Sequence, residues 1–205
     1  MVSGEVKTTG MDNLGNLFKD NIGGSAPAAI DLRDPNNPKE LTYDQFDQRC
    51  DAVARGLSKK NLGVGDRVAI LAQNRIEYIE VVFGALRAGC VPVPINFKLA
   101  VDAVHYILDD ADVKHVFVDA GSMHLSSSTI PTINFDQDYE AFLDPGEFSA
   151  VEVTDEQVSM QLYTSGTTGR PKGVLLTHAG QGWASDALVK ARRLTDDDRI
   201  LISAP

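Results

Sequence analysis

The sequence is poor in residues that bind metal ions or form covalent cross-links. Among 205 residues there are only two cysteines and four histidines. Cys50 and Cys90 are far apart and have no histidine nearby, which argues against a Cys/His metal site or a catalytic thiol. Both lie among apolar residues, so we predict buried free thiols, which suit the reducing environment of the cytoplasm.

Positive charge and long apolar runs are also scarce. The chain has 19 lysines and arginines against 29 acidic residues, a formal net charge of −10. Such an excess of negative charge argues against nucleic acids and anionic membrane surfaces as partners. No apolar run approaches the length of a membrane helix, and the N-terminus lacks the apolar core of a signal peptide. We therefore predict a cytoplasmic protein with no transmembrane segment and no nucleic-acid partner.

One stretch, residues 163–174, concentrates glycine, hydroxyl and cationic residues and contains no acid. It has the sequence YTSGTTGRPKGV. Glycine lets a backbone approach a ligand closely, while hydroxyl groups, free N–H groups and cations bind anionic oxygens. The composition of this stretch therefore indicates a polyphosphate site.

The residues on either side of this stretch predict a strand, a loop and a second strand. Val158–Leu162 alternates apolar and polar residues, and Val174–Leu176 is an apolar run. A Walker loop requires its lysine at the start of a helix, whereas Lys172 follows a proline and precedes a strand. This excludes a P-loop NTPase and leaves a plain Gly/Thr hairpin as the structural alternative. We expect residues 165–169 to be mobile without a ligand.

Apolar runs and helical periodicities alternate along the rest of the chain. Thr42 and Gln45 have the spacing of a capping box at the start of a helix, and Asn74 is the expected cap of the next helix. Two prolines in residues 91–95 confine that stretch to an edge strand or an irregular strand. Further strands are predicted at residues 28–32, 40–42, 68–71, 115–118, 130–135 and 200–203, and further helices from about Asp12, Leu99, Asp138 and Thr177.

This alternation predicts an α/β fold with a doubly wound, largely parallel sheet and flanking helices. We expect residues 68–71, 115–118 and 158–162 to form its core. The stripe Ile76, Ile79, Val82, Phe83 and Leu86 is the predicted buried face of the second long helix. Asp196–Asp198 is interpreted as a solvated turn and not as a metal site, because consecutive acids do not converge on one ion.

The stretch at residues 163–174 resembles the phosphate-binding motif of the adenylate-forming (AMP-dependent synthetase/ligase) superfamily. The superfamily includes acyl-CoA synthetases, luciferases and peptide-synthetase adenylation domains. Its motif is an aromatic residue followed by [ST]-S-G-[ST]-T-G-x-P-K-G-V, and this sequence keeps every position. Acyl-CoA synthetases of fatty and aryl acids are the most similar members. Weaker similarities lie in order along the chain at residues 41–43, 65–70, 84–89 and 91–96.

The resemblance implies that residues 12–205 are an incomplete N-terminal domain of such an enzyme, after an N-terminal extension, residues 1–11, that we predict to be disordered. It implies a reaction in which a carboxylate and ATP give an acyl adenylate and pyrophosphate. Coenzyme A then displaces AMP to form a thioester. The implied cosubstrates are ATP, Mg2+ and coenzyme A.

The resemblance also assigns roles to individual residues. Lys172 would neutralise the charge that develops on the phosphates and is the one predicted catalytic residue. Arg170 occupies a variable position and receives no role, whereas Tyr163 and His178 are interpreted as packed side chains, the latter hydrogen-bonded to the backbone. The residues that would bind the β- and γ-phosphates are Thr164, Ser165, Gly166, Thr167, Thr168, Gly169 and Lys172.

The chain is much shorter than a usual member of the superfamily. The adenine-binding and ribose-binding segments and the C-terminal domain would lie downstream in the same enzyme, so we predict that the 205-residue chain alone makes no acyl-CoA. Two alternatives remain open at this point. One is part of a peptide-synthetase adenylation domain, and the other is a non-catalytic polyphosphate-binding module.

Overall fold

The computed structural model describes residues 13–164, 170–195 and 197–203. The predicted extension, residues 1–11, lies outside these ranges. The strands are β1 (Pro27–Asp31), β2 (Lys39–Thr42), β3 (Arg67–Leu71), β4 (Val91–Pro94), β5 (Val113–Val118), β6 (Thr132–Asn134), β7 (Val158–Thr164) and β8 (Lys172–Thr177). The helices are α1 (Tyr43–Lys59), α2 (Ile76–Arg87), α3 (Val101–Asp110), α4 (Tyr139–Phe142) and α5 (His178–Arg192).

A four-stranded parallel sheet with the order β4-β3-β5-β6 forms the centre of the fold. Alternate side chains of β3 point to opposite faces, as the two-residue period of a strand requires. Val68 and Ile70 pack with residues of α1, α2 and α4 on one face. Ala69 and Leu71 pack with residues of α3 on the other face. The predicted α/β fold with helices on both faces of a parallel sheet is confirmed.

The prolines of β4 explain why the sheet ends at this strand. The N–H groups of Val91 and Ile95 donate to Asp66 and Ile70, on the side of β3. Pro92 and Pro94 alternate with them, so the positions that face away from β3 have no N–H group to offer. The predicted edge position of this strand is confirmed.

The prediction that residues 158–162 belong to the core sheet was wrong. Among the described residues, β7 pairs only with β8, in an antiparallel hairpin. A short connection favours antiparallel pairing with the next strand, and the proline edge of β4 offers no donors for a further partner. The hairpin therefore packs beside the parallel sheet instead of extending it.

Four local predictions were wrong in detail. The N-terminal helix is replaced by two 3-10 turns, Leu14–Asn16 and Lys19–Asn21. The cap position of α2 is Arg75, not Asn74, and no side chain caps it. Residues 200–203 form no strand, and Leu201 is 75% exposed. On α2, three predicted core residues are only partly buried, namely Ile79, Val82 and Phe83.

Two glycines account for the close packing around α2. A Cβ atom at Gly84 would lie 2.5 Å from Cβ of Val53 on α1, so α2 buries its Gly84 face against α1. A Cβ atom at Gly15 would lie 2.7 Å from Cγ of Arg87. The first 3-10 turn is thus pressed against α2, where Asn13 Nδ2 donates to the carbonyl oxygens of Leu86 and Val151.

Arg87 forms a buried ion-pair cluster between α1 and α2. Its side chain is 0% exposed, and its guanidinium donates to Asp47 Oδ1 at 2.6 Å and to Asp51 Oδ1 at 2.6 Å. It also donates to the carbonyl oxygen of Gly15 at 2.9 Å and lies over the ring of Phe18. Arg87 therefore joins both long helices and the N-terminal turns through one cation.

Both cysteines are free and buried, as predicted. Burial raises the pKa of the Cys90 thiol to about 12, so the thiolate is not formed near neutral pH. No helix in the described part of the chain is both long and apolar enough to cross a membrane.

Candidate functional site

The loop of the β7–β8 hairpin is the candidate site, and its two ends lie opposite each other. Thr164 pairs with Lys172, and Tyr163 pairs with Gly173. The predicted phosphate-binding residues Ser165, Gly166, Thr167, Thr168 and Gly169 lie outside the described residues, so their role and the mobility expected for the loop stay predictions. Thr164 and Lys172 are described, and the hairpin brings these two together.

Thr164 and Lys172 present a hydroxyl group and an ammonium group side by side. Residues directly opposite each other in an antiparallel pair project to the same face of the sheet. Both residues are exposed. Among the residues that the structure describes, no carboxylate pairs with the Lys172 ammonium group. This arrangement leaves the lysine charge available to an anion at the mouth of the loop.

Tyr163, the last but one residue of β7, is held by the core and by α3. Its ring packs against the core cluster between the sheet and α3, and its hydroxyl group donates to Asp110 Oδ2 at 2.6 Å. Gln161 Nε2 donates to the same hydroxyl group at 2.9 Å. A Cβ atom at Gly173 would lie 2.9 Å from Gln161 Nε2, so glycine at this position lets β8 pass close to this pair. Tyr163 has the packing role expected from the sequence.

Sequence reasoning missed Asp110 and Gln161 because neither belongs to the motif. A signal for Asp110 was present, since Asp109 and Asp110 end α3 with no basic residue in its last turn. Carboxylates are disfavoured at a helix C-terminus by the helix dipole. An acid at this position therefore suggests a specific partner, which the structure identifies as Tyr163.

A second polar cleft lies at the carboxyl edge of the parallel sheet. Its volume is about 230 Å³, and none of its described lining residues belongs to the β7–β8 hairpin. The strand that follows β3 in sequence, β4, lies on one side of β3, and β5 lies on the other side. Open parallel sheets often bind ligands where the order of the strands reverses in this way. Here Arg75 already pairs with Asp136 at 2.9 Å, and Asp119 accepts from the N–H groups of Gln73 and Ser122. These charged groups are therefore already satisfied by partners within the protein.

No group of three or more histidine, cysteine or acidic residues within residues 13–164, 170–195 and 197–203 could hold a metal ion. The predicted solvated turn near the C-terminus is only partly described, because Asp196 lies outside these ranges. Asp198 Oδ2 accepts from the backbone N–H of Thr195 at 2.6 Å and from its hydroxyl group. This carboxylate therefore closes a local turn.

His178 links the end of β8 to the N-terminal turns. Its side chain is 2% exposed, and its Nδ1 accepts from the backbone N–H of Leu14 at 3.3 Å. Its own backbone N–H donates to the carbonyl oxygen of Gln157. As the sequence predicted, His178 is a packed residue hydrogen-bonded to the backbone. Because Nδ1 must be unprotonated to accept, the neutral imidazole carries its hydrogen on Nε2.

We expect the contact of His178 to make folding sensitive to mild acid. Burial lowers the pKa of His178 below its ordinary value of 6.5. Below that pH the unfolded chain binds the proton more readily than the folded protein, so the free energy of unfolding falls as the pH decreases. His178→Asn retains an acceptor for Leu14 N–H. Its free energy of unfolding should fall less steeply than that of wild type between about pH 7.5 and 5.5.

The measurement is urea unfolding at a series of pH values, with His124→Asn as the matched control. His124 is exposed, and its one side-chain hydrogen bond among the described residues is to a local carbonyl oxygen, that of Gly121. The control should keep the wild-type slope. Burial also lowers the pKa of His115, which leaves a residual slope in both variants. Equal slopes for wild type and His178→Asn would contradict the prediction.

The chain was compared with known proteins. The model of the AMP-binding enzyme family matches residues 22–205. A feruloyl-CoA synthase of an Amycolatopsis species is 32% identical over 179 residues, which are 80% of this chain and 34% of that protein. A long-chain-fatty-acid–CoA ligase of Mycobacterium tuberculosis is 32% identical over 188 residues, 84% of this chain and 36% of that protein.

The fold also has counterparts among solved structures. A long-chain-fatty-acid–CoA ligase from Archaeoglobus fulgidus superimposes with a TM-score of 0.81 at 22% identity, and the match covers 92% of this chain and 41% of that one. At this identity the likeness concerns the fold. The chain spans about a third of the length of the two relatives above, 34% and 36%. The family match over residues 22–205, together with the fold and the hairpin, shows that this chain belongs to the AMP-binding, adenylate-forming enzymes.

Proposed function

We propose that this chain is the N-terminal part of an ATP-dependent acyl-CoA synthetase and that residues 163–174 bind the triphosphate of its ATP. The pairing of Thr164 with Lys172 carries the proposal. It places an exposed hydroxyl donor and an exposed cation on one face of the loop entrance, with no described carboxylate pairing with the lysine. Those are the groups that a polyphosphate requires.

The proposed reaction has two steps. A carboxylate oxygen attacks the α-phosphorus of ATP and expels pyrophosphate, which yields an acyl adenylate. The thiol of coenzyme A then attacks the acyl carbon and expels AMP. Mg2+ enters with ATP as part of the substrate. The carboxylate must be converted to the acyl adenylate before a thiol can attack it, because oxide is a poor leaving group and AMP is a good one.

The residues of this chain act mainly in the first step. Phosphoryl chemistry depends on positioning and on charge neutralisation and requires little covalent participation by the protein. Thr164 would orient a phosphate oxygen by hydrogen bonding. Lys172 would neutralise charge that builds up as pyrophosphate leaves, and this differential stabilisation is what accelerates a reaction.

Eight exposed apolar side chains near the end of the chain support the view that more polypeptide completes the site. Large apolar side chains are usually covered in a folded protein, and Trp183 is 74% exposed. We propose that the downstream part of the same enzyme covers these side chains and supplies the adenine, ribose and acyl pockets. The exposed apolar residues of the hairpin, α5 and the final segment are Val174, Leu175, Trp183, Leu188, Val189, Ile200, Leu201 and Ile202.

The test compares the 205-residue chain with the full-length protein that carries it, by ATP–pyrophosphate exchange with a panel of fatty, aryl and amino acids. The full-length protein should exchange with fatty or aryl acids. The chain alone should not, because half of the positioning surface is absent and positioning accounts for about 7–11 kcal/mol of a barrier. Calorimetry should still detect weak binding of MgATP to the chain.

Each alternative outcome has a clear meaning. Exchange by the 205-residue chain would contradict the requirement for a downstream part. Exchange by the full-length protein with amino acids alone would favour a peptide-synthetase adenylation domain. A full-length protein that binds ATP but shows no exchange with any acid would favour a non-catalytic polyphosphate-binding module.

A further inference from the structure

Both ends of the hairpin loop contact the same helix, α3. Before the loop, the Tyr163 hydroxyl group donates to Asp110 Oδ2 at 2.6 Å. After the loop, the guanidinium carbon of Arg170 lies 5.4 Å from the centre of the Tyr106 ring. Tyr106 and Asp110 are one helical turn apart, and the Tyr106 hydroxyl group donates to Asp110 Oδ1 at 3.2 Å. A pair of residues on one helix therefore reaches both ends of the loop.

The electrostatics of α3 make these contacts informative. Asp110 is the last residue of the helix, where the dipole disfavours a carboxylate. Each of its oxygens accepts from a phenol, one from the helix itself and one from β7. Burial and the nearby Asp110 carboxylate raise the pKa of Tyr163, so its phenol keeps the proton that it donates. The contact thus persists across the neutral pH range.

Arg170 adds a second connection at the other end of the loop. A guanidinium group within about 6 Å of an aromatic ring centre is attracted by the ring face. Arg170 is exposed, and its contact with Tyr106 confines a side chain that would otherwise be free in solvent. Lys172 follows two residues later, so this contact lies close to the start of β8.

We propose that Asp110 is a positioning residue which, together with Tyr106, clamps both ends of the loop and holds Thr164 and Lys172 in place for the triphosphate. The inference rests on the proposed function of the loop. Its physical basis is that groups held in register before a ligand arrives need not be ordered during binding. Asp110 touches no substrate in this account and acts through Tyr163.

The test uses Asp110→Asn, Tyr163→Phe and the double variant, with Asp109→Asn as the matched control. Asp109 is exposed, lies next to Asp110 in the last turn of the same helix and has no side-chain partner among the described residues. Asp109→Asn therefore reproduces the change in charge without touching Tyr163. MgATP affinity is measured by calorimetry on the 205-residue chain and on the full-length protein. Hydrogen exchange of the backbone amides of Thr164 and Lys172 is measured in parallel.

We expect Asp110→Asn and Tyr163→Phe each to weaken MgATP binding about tenfold, equivalent to about 1.4 kcal/mol. The double variant should be about as weak as the weaker single variant, because both changes disrupt the same contact between Tyr163 and Asp110. Exchange at Thr164 and Lys172 should accelerate in all three variants, while Asp109→Asn stays within about twofold of wild type for both readouts.

The clamp is overturned if Asp110→Asn and Asp109→Asn behave alike, or if the two single effects add in the double variant. If wild type itself binds no MgATP, the proposed function fails, and hydrogen exchange alone decides the clamp. Faster exchange at Thr164 and Lys172 in Asp110→Asn than in Asp109→Asn then supports it, and equal exchange overturns it. Tyr163→Phe provides the same test from the hairpin side if Asp110→Asn is poorly folded.

Discussion

Lys172→Ala is expected to slow acyl-adenylate formation by the full-length protein about 10²–10³-fold, the usual cost of removing one preorganised group that stabilises transition-state charge. Lys172 lies at the loop entrance, and no described carboxylate competes for its ammonium group. The lost interaction is strongest when charge accumulates on the departing pyrophosphate. The rate constant of the first step should therefore fall more than the affinity for ATP.

Stability should change little in the same variant. Lys172 is exposed and makes no ion pair with a described residue, and surface changes of this kind usually lie within about 0.5 kcal/mol. Lys190→Ala, an exposed lysine on α5, is the matched control and should retain both activity and melting temperature. Single-turnover measurement of acyl adenylate reports the first step directly. An unchanged rate in Lys172→Ala would remove this residue from the catalytic assignment.

Arg87→Ala should produce the largest loss of stability, about 3–5 kcal/mol. The guanidinium is fully buried, and its removal leaves two carboxylates, Asp47 and Asp51, without their cation. Asp51 is itself buried. The carbonyl oxygen of Gly15 loses a donor as well. A loss of this size is a large fraction of the stability of a typical domain.

Urea unfolding followed by circular dichroism measures this effect, and Arg192→Ala is the control. Arg192 is exposed at the end of α5, so the same truncation there should cost less than about 1 kcal/mol. Hydrogen exchange should show the first loss of protection in the turns at Leu14–Asn16 and Lys19–Asn21, which Arg87 joins to α2. A destabilisation of Arg87→Ala no greater than that of Arg192→Ala would contradict the assigned role.

The two variants separate binding from folding. Lys172 carries a charge that the described part of the fold leaves unpaired, whereas the charge of Arg87 is enclosed by two acids. If Lys172→Ala loses activity but keeps its stability, the chemistry lies at the hairpin. If Arg87→Ala mainly loses stability, the role of Arg87 between the helices is structural.

Local chemistry was sufficient for much of the fold. The capping box of Thr42 and Gln45 starts α1 where expected, because both bonds form within one turn. The prolines of β4 identified a sheet edge, because a missing N–H group is a property of the residue itself. The motif at residues 163–174 indicated the hairpin and its proposed ligand because all of its residues are neighbours in the chain.

The choice of partner required the tertiary structure. An alternating strand such as β7 does not encode which edge it joins, and β7 pairs with β8 because the edge of β4 has no outward donors. Residues 200–203, with three apolar residues in a row, have strand composition but no strand partner among the described residues, and they form no strand and stay exposed. Strand pairing depends on which strand edge is adjacent in the folded protein, and the periodicity of the sequence does not specify that neighbour.

The sequence by itself determined the α/β class, the start of α1 and the position of the loop, because the patterns that indicate them lie within short stretches of the chain. Only the tertiary structure decided that Arg87 joins Asp47 and Asp51, and that Asp110 reaches Tyr163 across 53 positions of the chain. The reason is physical. Burial of a charge and hydrogen bonding between distant side chains depend on how helices and strands pack, and that packing is settled only when the whole chain folds.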